Sequence, residues 1–212
     1  DNIPVLVSLE AFTPFIPLET DDSSIPVVVF RYRLANRSKQ PVDATLAFSI
    51  LNAIGYDGQT VLTTNRFEGF GQNITRFCRD AGFAGLEMTS MKYPADQVRA
   101  GSMALVTTHP VVSAKMAWDS AYPPEQRNGR ESRWEGTRLW FEELRDTGRL
   151  SDPREPAPTL DGFSSYGTLA PRVTLEPGEQ QAIDFLLTWY FPTRENYWNA
   201  QTPVLGARLR NH

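Results

Sequence analysis

The run Val27-Val28-Val29-Phe30-Arg31-Tyr32-Arg33-Leu34, the polar stretch Asn36-Arg37-Ser38-Lys39-Gln40-Pro41 and the run Val42-Asp43-Ala44-Thr45-Leu46-Ala47-Phe48-Ser49-Ile50 decide the fold class. In the first run Val28, Phe30, Tyr32 and Leu34 share one face, and Arg31 and Arg33 share the other. In the second, Val42, Ala44, Leu46, Phe48 and Ile50 alternate with Asp43, Thr45, Ala47 and Ser49. A period of two is the mark of a strand with one buried face. With a polar turn between them, the two runs predict an antiparallel hairpin. The same pattern returns near the far end, where Ile183, Phe185, Leu187, Trp189 and Phe191 share a face. Arg172-Val173-Thr174-Leu175 precedes that strand across Glu176-Pro177-Gly178-Glu179, which predicts a second hairpin. Val5 to Phe12, Phe83 to Met91, Met103 to Thr108 and Val111 to Trp118 are further strands, with His109-Pro110 turning the chain between the last two.

At least seven strands with turns between them, and no strand-helix-strand alternation, predict an all-β chain: an antiparallel two-sheet β-sandwich. The middle differs. From about Asp119 to Asp161 the chain is rich in Pro, Gly, Arg and Glu and loses the period of two. Within this excursion Leu139, Trp140, Phe141 and Leu144 predict one short helix, Thr137 to Thr147, stopped by Gly148. Such a long excursion suits a functional or partner-facing surface. Residues 1–212 are thus read as one sandwich domain.

Composition narrows the chemistry. The chain has 212 residues, Lys+Arg 21 against Asp+Glu 25, a net charge of −4 and 41% hydrophobic residues, enough for a packed core. Mild acidity without a basic block argues against nucleic-acid binding. No stretch reaches the ~18 apolar residues of a membrane-spanning helix. Of two histidines one is the last residue, His212, and Cys78 is the sole cysteine. A histidine triad, thiol catalysis or a zinc site of about four ligands is therefore not expected, and neither is a cofactor. Carboxylate chemistry survives the count, but no pair presents itself. Glu142 and Glu143 are neighbours on a helix and diverge; Glu68 and Glu87 have no assigned partner. Gly69-Phe70-Gly71 lacks the helix and lysine of a phosphate loop. Asn36-Arg37-Ser38 and Asn73-Ile74-Thr75 match the glycosylation sequon, a short pattern that arises often by chance.

Aromatic residues, 11% of the chain, are the remaining candidates for ligand contact. Trp118 and Trp189 continue apolar strand faces and are expected in the core. Trp140 lies on the apolar side of the predicted helix, where packing is the default. Trp134 and Trp198 fall in loops. Trp134, Trp198, Trp140 and Phe141 are the residues expected at a ligand or domain interface; no catalytic or metal-binding residue is expected.

Several stretches together resemble the N-terminal domain of glycoside hydrolase family 116, the family of non-lysosomal glucosylceramidases and bacterial β-glucosidases. They are Pro4-Val5-Leu6-Val7-Ser8-Leu9-Glu10-Ala11-Phe12-Thr13-Pro14-Phe15-Ile16-Pro17-Leu18, then Asp22-Ser23-Ser24-Ile25-Pro26-Val27 and the strand ending at Asn36. Asn52 and Gly55, Leu139-Trp140-Phe141 with Gly148-Arg149-Leu150, and Trp189-Tyr190-Phe191-Pro192-Thr193-Arg194 complete the set. In the first stretch Pro14 and Pro17 cannot donate ladder hydrogen bonds, so Phe12, Phe15 and Ile16 are expected to fold back over the end of the sandwich.

The resemblance implies a β-sandwich that packs on an all-helical (α/α)6 barrel of the same polypeptide. That barrel carries a glutamate nucleophile and an aspartate acid/base for retaining hydrolysis of a β-glucoside. None of its motifs occurs here, so no catalytic residue is carried over. The resemblance implies a fragment cut at both ends, with the barrel following residue 212. The expected role is a non-catalytic domain of a β-glucosidase or glucosylceramidase-like hydrolase that braces the barrel through the excursion and shapes one rim of the cleft. The β-glucoside itself would be touched at most peripherally. The alternative is an autonomous carbohydrate-binding module using exposed loop aromatics; a third is a sandwich for protein contacts alone.

Overall fold

The computed structural model describes residues 3–62, 64–118, 135–152, 155–195 and 208–210. The strands are β1 (Val5–Phe12), β2 (Val27–Asn36), β3 (Val42–Thr45), β4 (Phe48–Leu51), β5 (Asn73–Asp80), β6 (Phe83–Ser90), β7 (Ser102–Thr107), β8 (Val112–Trp118), β9 (Tyr166–Leu175), β10 (Gln180–Tyr190), β11 (Thr193–Glu195) and β12 (Arg208–Arg210). Two helices accompany them, α1 (Thr20–Ser23) and α2 (Glu135–Thr147). A six-stranded antiparallel sheet runs in the order β1-β2-β10-β7-β6-β5. The second sheet is built around β9, with β3 and β4 end to end along one side and β8 along the other. The fold is an all-β sandwich.

The alternating residues build its core. Leu34, Ile183, Phe185, Leu105, Leu86 and Met88 from the wide sheet meet Leu169, Val173 and Leu175 from β9, all buried. Phe48 bridges the sheets, its ring 5.1 Å from both Phe30 and Phe185. The short helix of the excursion is present, beginning two residues before the expected start. Gly148 ends it with φ +65° and a backbone bond to the Leu144 carbonyl, a left-handed helix cap. Residues 119–134 of the excursion lie outside the described residues.

The expected hairpins are not hairpins. β2 lies between β1 and β10, whereas β3 pairs with β9 in the other sheet. The connections β2–β3, β7–β8 and β9–β10 all cross from one sheet to the other. Alternation reports which face of a strand is buried, and a hairpin and a sandwich corner satisfy it equally. Asn36 holds two of these corners together. Its side-chain amide donates to the Gln40 and Leu175 carbonyls (2.8 and 2.9 Å), and its backbone exchanges hydrogen bonds with Gly178 and Glu179.

Two further expectations are corrected, and one strand had not been expected. The strand over Val42 to Ile50 is broken at Leu46-Ala47, opposite Pro171 and its neighbour, because proline offers the ladder no N–H. The strand β5 was missed: its core-facing positions Asn73, Thr75, Phe77 and Arg79 carry one apolar residue, so no period shows. It forms a true hairpin with β6 through Ala81-Gly82, with Gly82 at φ +96°. Finally, Phe12, Phe15 and Ile16 do not close over the sandwich. All three are exposed, Phe15 by 77%.

Candidate functional site

The candidate surface is built on the outer face of the β9 sheet, where α2 forms a third layer. A register shift between Lys115 and Trp118 pairs Trp118 with Tyr166, an outward-facing residue of β9, so Trp118 leaves the apolar face of Ala114 and Met116. Its ring stacks on Tyr166 (5.1 Å, 28°) and on Trp140 of α2 (5.2 Å, 21°). The Trp118 indole N–H donates to Thr168 Oγ1 at 2.8 Å, and that oxygen also meets Ser49 Oγ at 2.7 Å. Trp118 and, at the end of β10, Trp189, both expected in the core, are only half-buried.

Polar contacts fix the helix in this position. Glu143 pairs with Lys115 of β8 and accepts from the backbone N–H and hydroxyl of Ser151 (2.6 and 2.7 Å). Thr45 donates to the Gly148 carbonyl at 2.7 Å, and the Leu150 N–H to Ser113 Oγ at 3.1 Å. Asp152 accepts the N–H of Met116 at 2.9 Å beside the bulge. Because side chains three and four apart share a helix face, Trp140, Glu143 and Leu144 face the sheet together.

Trp140 and Phe141, adjacent in sequence, thus diverge. Trp140 packs inward, its indole N–H buried without a hydrogen-bond partner among the described residues. Phe141 is 56% exposed, as is Leu139 to a similar degree. Trp134 and Trp198 lie outside the described residues. Glu142 pairs with Arg138 one turn back while Glu143 turns into the sheet, so the two carboxylates diverge as their adjacency implies.

The electrostatics of the carboxyl groups are those of structural ion pairs. Arg31 donates two hydrogen bonds of 2.9 Å to Asp184 across β2 and β10 and holds that carboxyl below its ordinary value. Burial alone would raise Glu143, but hydrogen bonds from Lys115 and Ser151 outweigh it and bring the group below the usual glutamate range. Backbone N–H groups of Thr60 and Gln59 hold Asp57 at about 2. Asp43, Asp146 and Glu179 are likewise held below their ordinary values by hydrogen-bond donors. The described residues hold no group of three His, Cys, Asp or Glu side chains placed to bind a metal ion, and no helix among them is long and apolar enough to cross a membrane.

A pH dependence follows. A carboxyl whose pKa falls on folding stabilises the fold fully above its unfolded value, about 4, and loses that contribution as the pH drops toward its folded value. Asp184→Asn is therefore expected to lower the urea midpoint at pH 7 and to have a much smaller effect at pH 3. An equal deficit at both pH values would show that the Arg31–Asp184 pair is not the source.

Sequence reasoning also missed the buried amides. Asn36, Asn52 and Asn73 are fully buried, and each donates its side-chain N–H groups to backbone carbonyls. The two sequon asparagines, Asn36 and Asn73, thus serve as internal ties; only Asn36, which precedes the polar turn Arg37 to Pro41, left a local trace in the sequence.

Fold and surface together define a β-sandwich in which buried amides and ion pairs hold strands, corners and a docked helix together. The family model described as "beta-glucosidase 2, glycosyl-hydrolase family 116 N-term" matches residues 1–209, and the chain belongs to that family. Among solved structures the chain is similar to one described as "Putative kojibiose phosphorylase from human microbiome", with 11% identity and a TM-score of 0.37. That similarity covers 88% of this chain and 16% of the phosphorylase chain, so the matched part is a small fraction of that protein's length.

Proposed function

We propose that this chain is the non-catalytic N-terminal sandwich of a family 116 glycoside hydrolase. It braces the (α/α)6 barrel of the same polypeptide and shapes one rim of a cleft for a β-glucoside. The family match over residues 1–209 carries the reading. The carboxyl groups support it. A glycosidase needs a general acid whose pKa is raised and a second carboxylate about 5–10 Å away. The displaced carboxyls described here move the other way and are engaged with Arg, Lys, Ser, Thr or backbone N–H groups. The exposed side of α2, with Leu139 and Phe141, supports a contact with the barrel at the excursion.

Residues 1–212 alone are expected to leave an aryl β-glucoside intact. The full-length enzyme is expected to hydrolyse it with retention, read by NMR of the first-formed anomer. Turnover by the pure fragment would overturn the reading. The sugar-binding alternative loses Trp140 as a platform, because that ring is stacked against Trp118.

A further inference from the structure

The apolar side chains that the sandwich leaves uncovered concentrate in one stretch of the chain. Of 17 large hydrophobic residues exposed among the described residues, nine lie between Ile3 and Ile25. Part of this surface is an unfinished core. Val7 and Leu9 pair with Leu34 and Tyr32, so they lie on the inner face of the wide sheet. The β9 sheet is only three strands wide and does not reach them, and both are about half exposed. β1 is also an edge strand, with its outer backbone edge unpaired among the described residues.

The rest is a loop held in shape to display apolar groups. The Ser23 hydroxyl accepts from the Ile16 N–H (2.9 Å) and donates to the Ile16 carbonyl (3.0 Å), while the Glu19 N–H bonds the same carbonyl. Leu18 sits at φ +72°, a left-handed conformation costly for a residue with a Cβ, and its side chain is fully exposed. A strained, well-tied loop that keeps its apolar side chains largely in solvent marks a contact site.

Charge selects the occupant. Glu19, Asp21 and Asp22 are exposed in the same loop as Phe15, Ile16 and Leu18, while Glu10 on β1 is paired with Arg33. An anionic lipid surface would be repelled by that rim. A symmetric contact with a second copy would bring the same acidic patch against itself. The complementary partner has an apolar centre and a basic rim, and an open core edge needs it continuously, which a covalently attached domain satisfies.

We infer that residues 3–25 form the docking face for the catalytic domain of the same polypeptide, with Phe15, Ile16 and Leu18 as its anchors. This rests on the reading of the chain as the N-terminal part of a larger hydrolase. The barrel then contacts the sandwich at the β1 edge and not only at the helical excursion.

Hydroxyl-radical footprinting of the full-length enzyme tests it, with Val61, 83% exposed on a distant loop, as the internal reference. After correction for intrinsic reactivity, Phe15 and Leu18 are expected to react roughly tenfold more slowly than Val61, as buried interface anchors do. The double variant Phe15→Asp with Leu18→Asp, made in the same enzyme, is expected to split its thermal unfolding into two transitions. Reaction of Phe15 and Leu18 at the rate of Val61 would overturn the inference, as would protection that vanishes on dilution or that appears only with lipid vesicles. An aryl β-glucoside assay on the same sample separates the failures. An active enzyme with unprotected Phe15 and Leu18 sinks this docking face alone, and an inactive one sinks the hydrolase reading.

Discussion

Gly55→Ala is expected to destabilise the protein by about 3 kcal/mol or more, with the urea midpoint falling accordingly. An added Cβ at residue 55 would stand 2.3 Å from the Gly69 carbonyl oxygen, and one at Gly69 would stand 2.3 Å from the Gly55 carbonyl. Two backbones therefore touch with no room for a methyl group between them. Gly55 also has φ +98°, so the substitution is strained even without the clash. Neither side can retreat. The Gly69 carbonyl accepts from the Tyr93 hydroxyl at 2.7 Å, and the neighbouring Ile54 and Phe70 are fully buried. Gly58→Ala is the control, since its φ is +74° but nothing lies within 4 Å of the added methyl. It is expected to cost about 1 kcal/mol, the conformational part alone. Equal losses for the two variants would refute the close approach.

Asn52→Ala is expected to cost about 3–4 kcal/mol, because a buried polar group that loses its partner costs roughly 1–3 kcal/mol and several partners are lost together. Asn52 follows β4 in the narrow sheet, yet its amide donates to the Ile74 and Thr89 carbonyls of β5 and β6 in the wide one, both at 3.0 Å. Its Oδ1 accepts from Asn73 Nδ2 at 3.1 Å and from the Ile54 N–H at 3.3 Å. One side chain therefore ties the two sheets where β9 begins, as Asn36 ties them where β9 ends. Asn52→Leu, similar in volume but without polar atoms, is expected to do no better. A loss below about 1 kcal/mol in either variant would mean that shifted backbone or water satisfies these groups.

How much of this was legible depends on the interaction concerned. Burial of one strand face leaves an alternating trace, so β2 and β10 stand where the patterns of Val28 to Leu34 and Ile183 to Trp189 put them. Pairing leaves no such trace, so the β2–β3 and β9–β10 corners read as hairpins. The bulge before Trp118 turns one residue to the opposite face, which a strict period cannot express. At the candidate surface, the helix and its glycine stop were legible from Leu139, Trp140, Phe141 and Gly148. So was the packing of Trp140, but not its place against Trp118, since that depends on the bulge in β8 and on Lys115 and Ser151 holding Glu143. Nor could the sequence show Val7 and Leu9 in solvent, because that follows from the second sheet being narrower than the first.

The sheet-crossing corners bear on how the chain is made. β2 has β1 on one side and β10 on the other, and the Arg31–Asp184 pair closes a separation of 153 residues. Ribosomes add roughly 5–20 residues per second, so β2 waits on the order of 10 s for its second neighbour to be synthesised. During that interval the apolar face of Val28, Phe30, Tyr32 and Leu34 has β1 beside it and no finished core beneath it. Folding is then governed by long-range closure late in translation, and β10 is the segment that commits the nascent chain to its native topology.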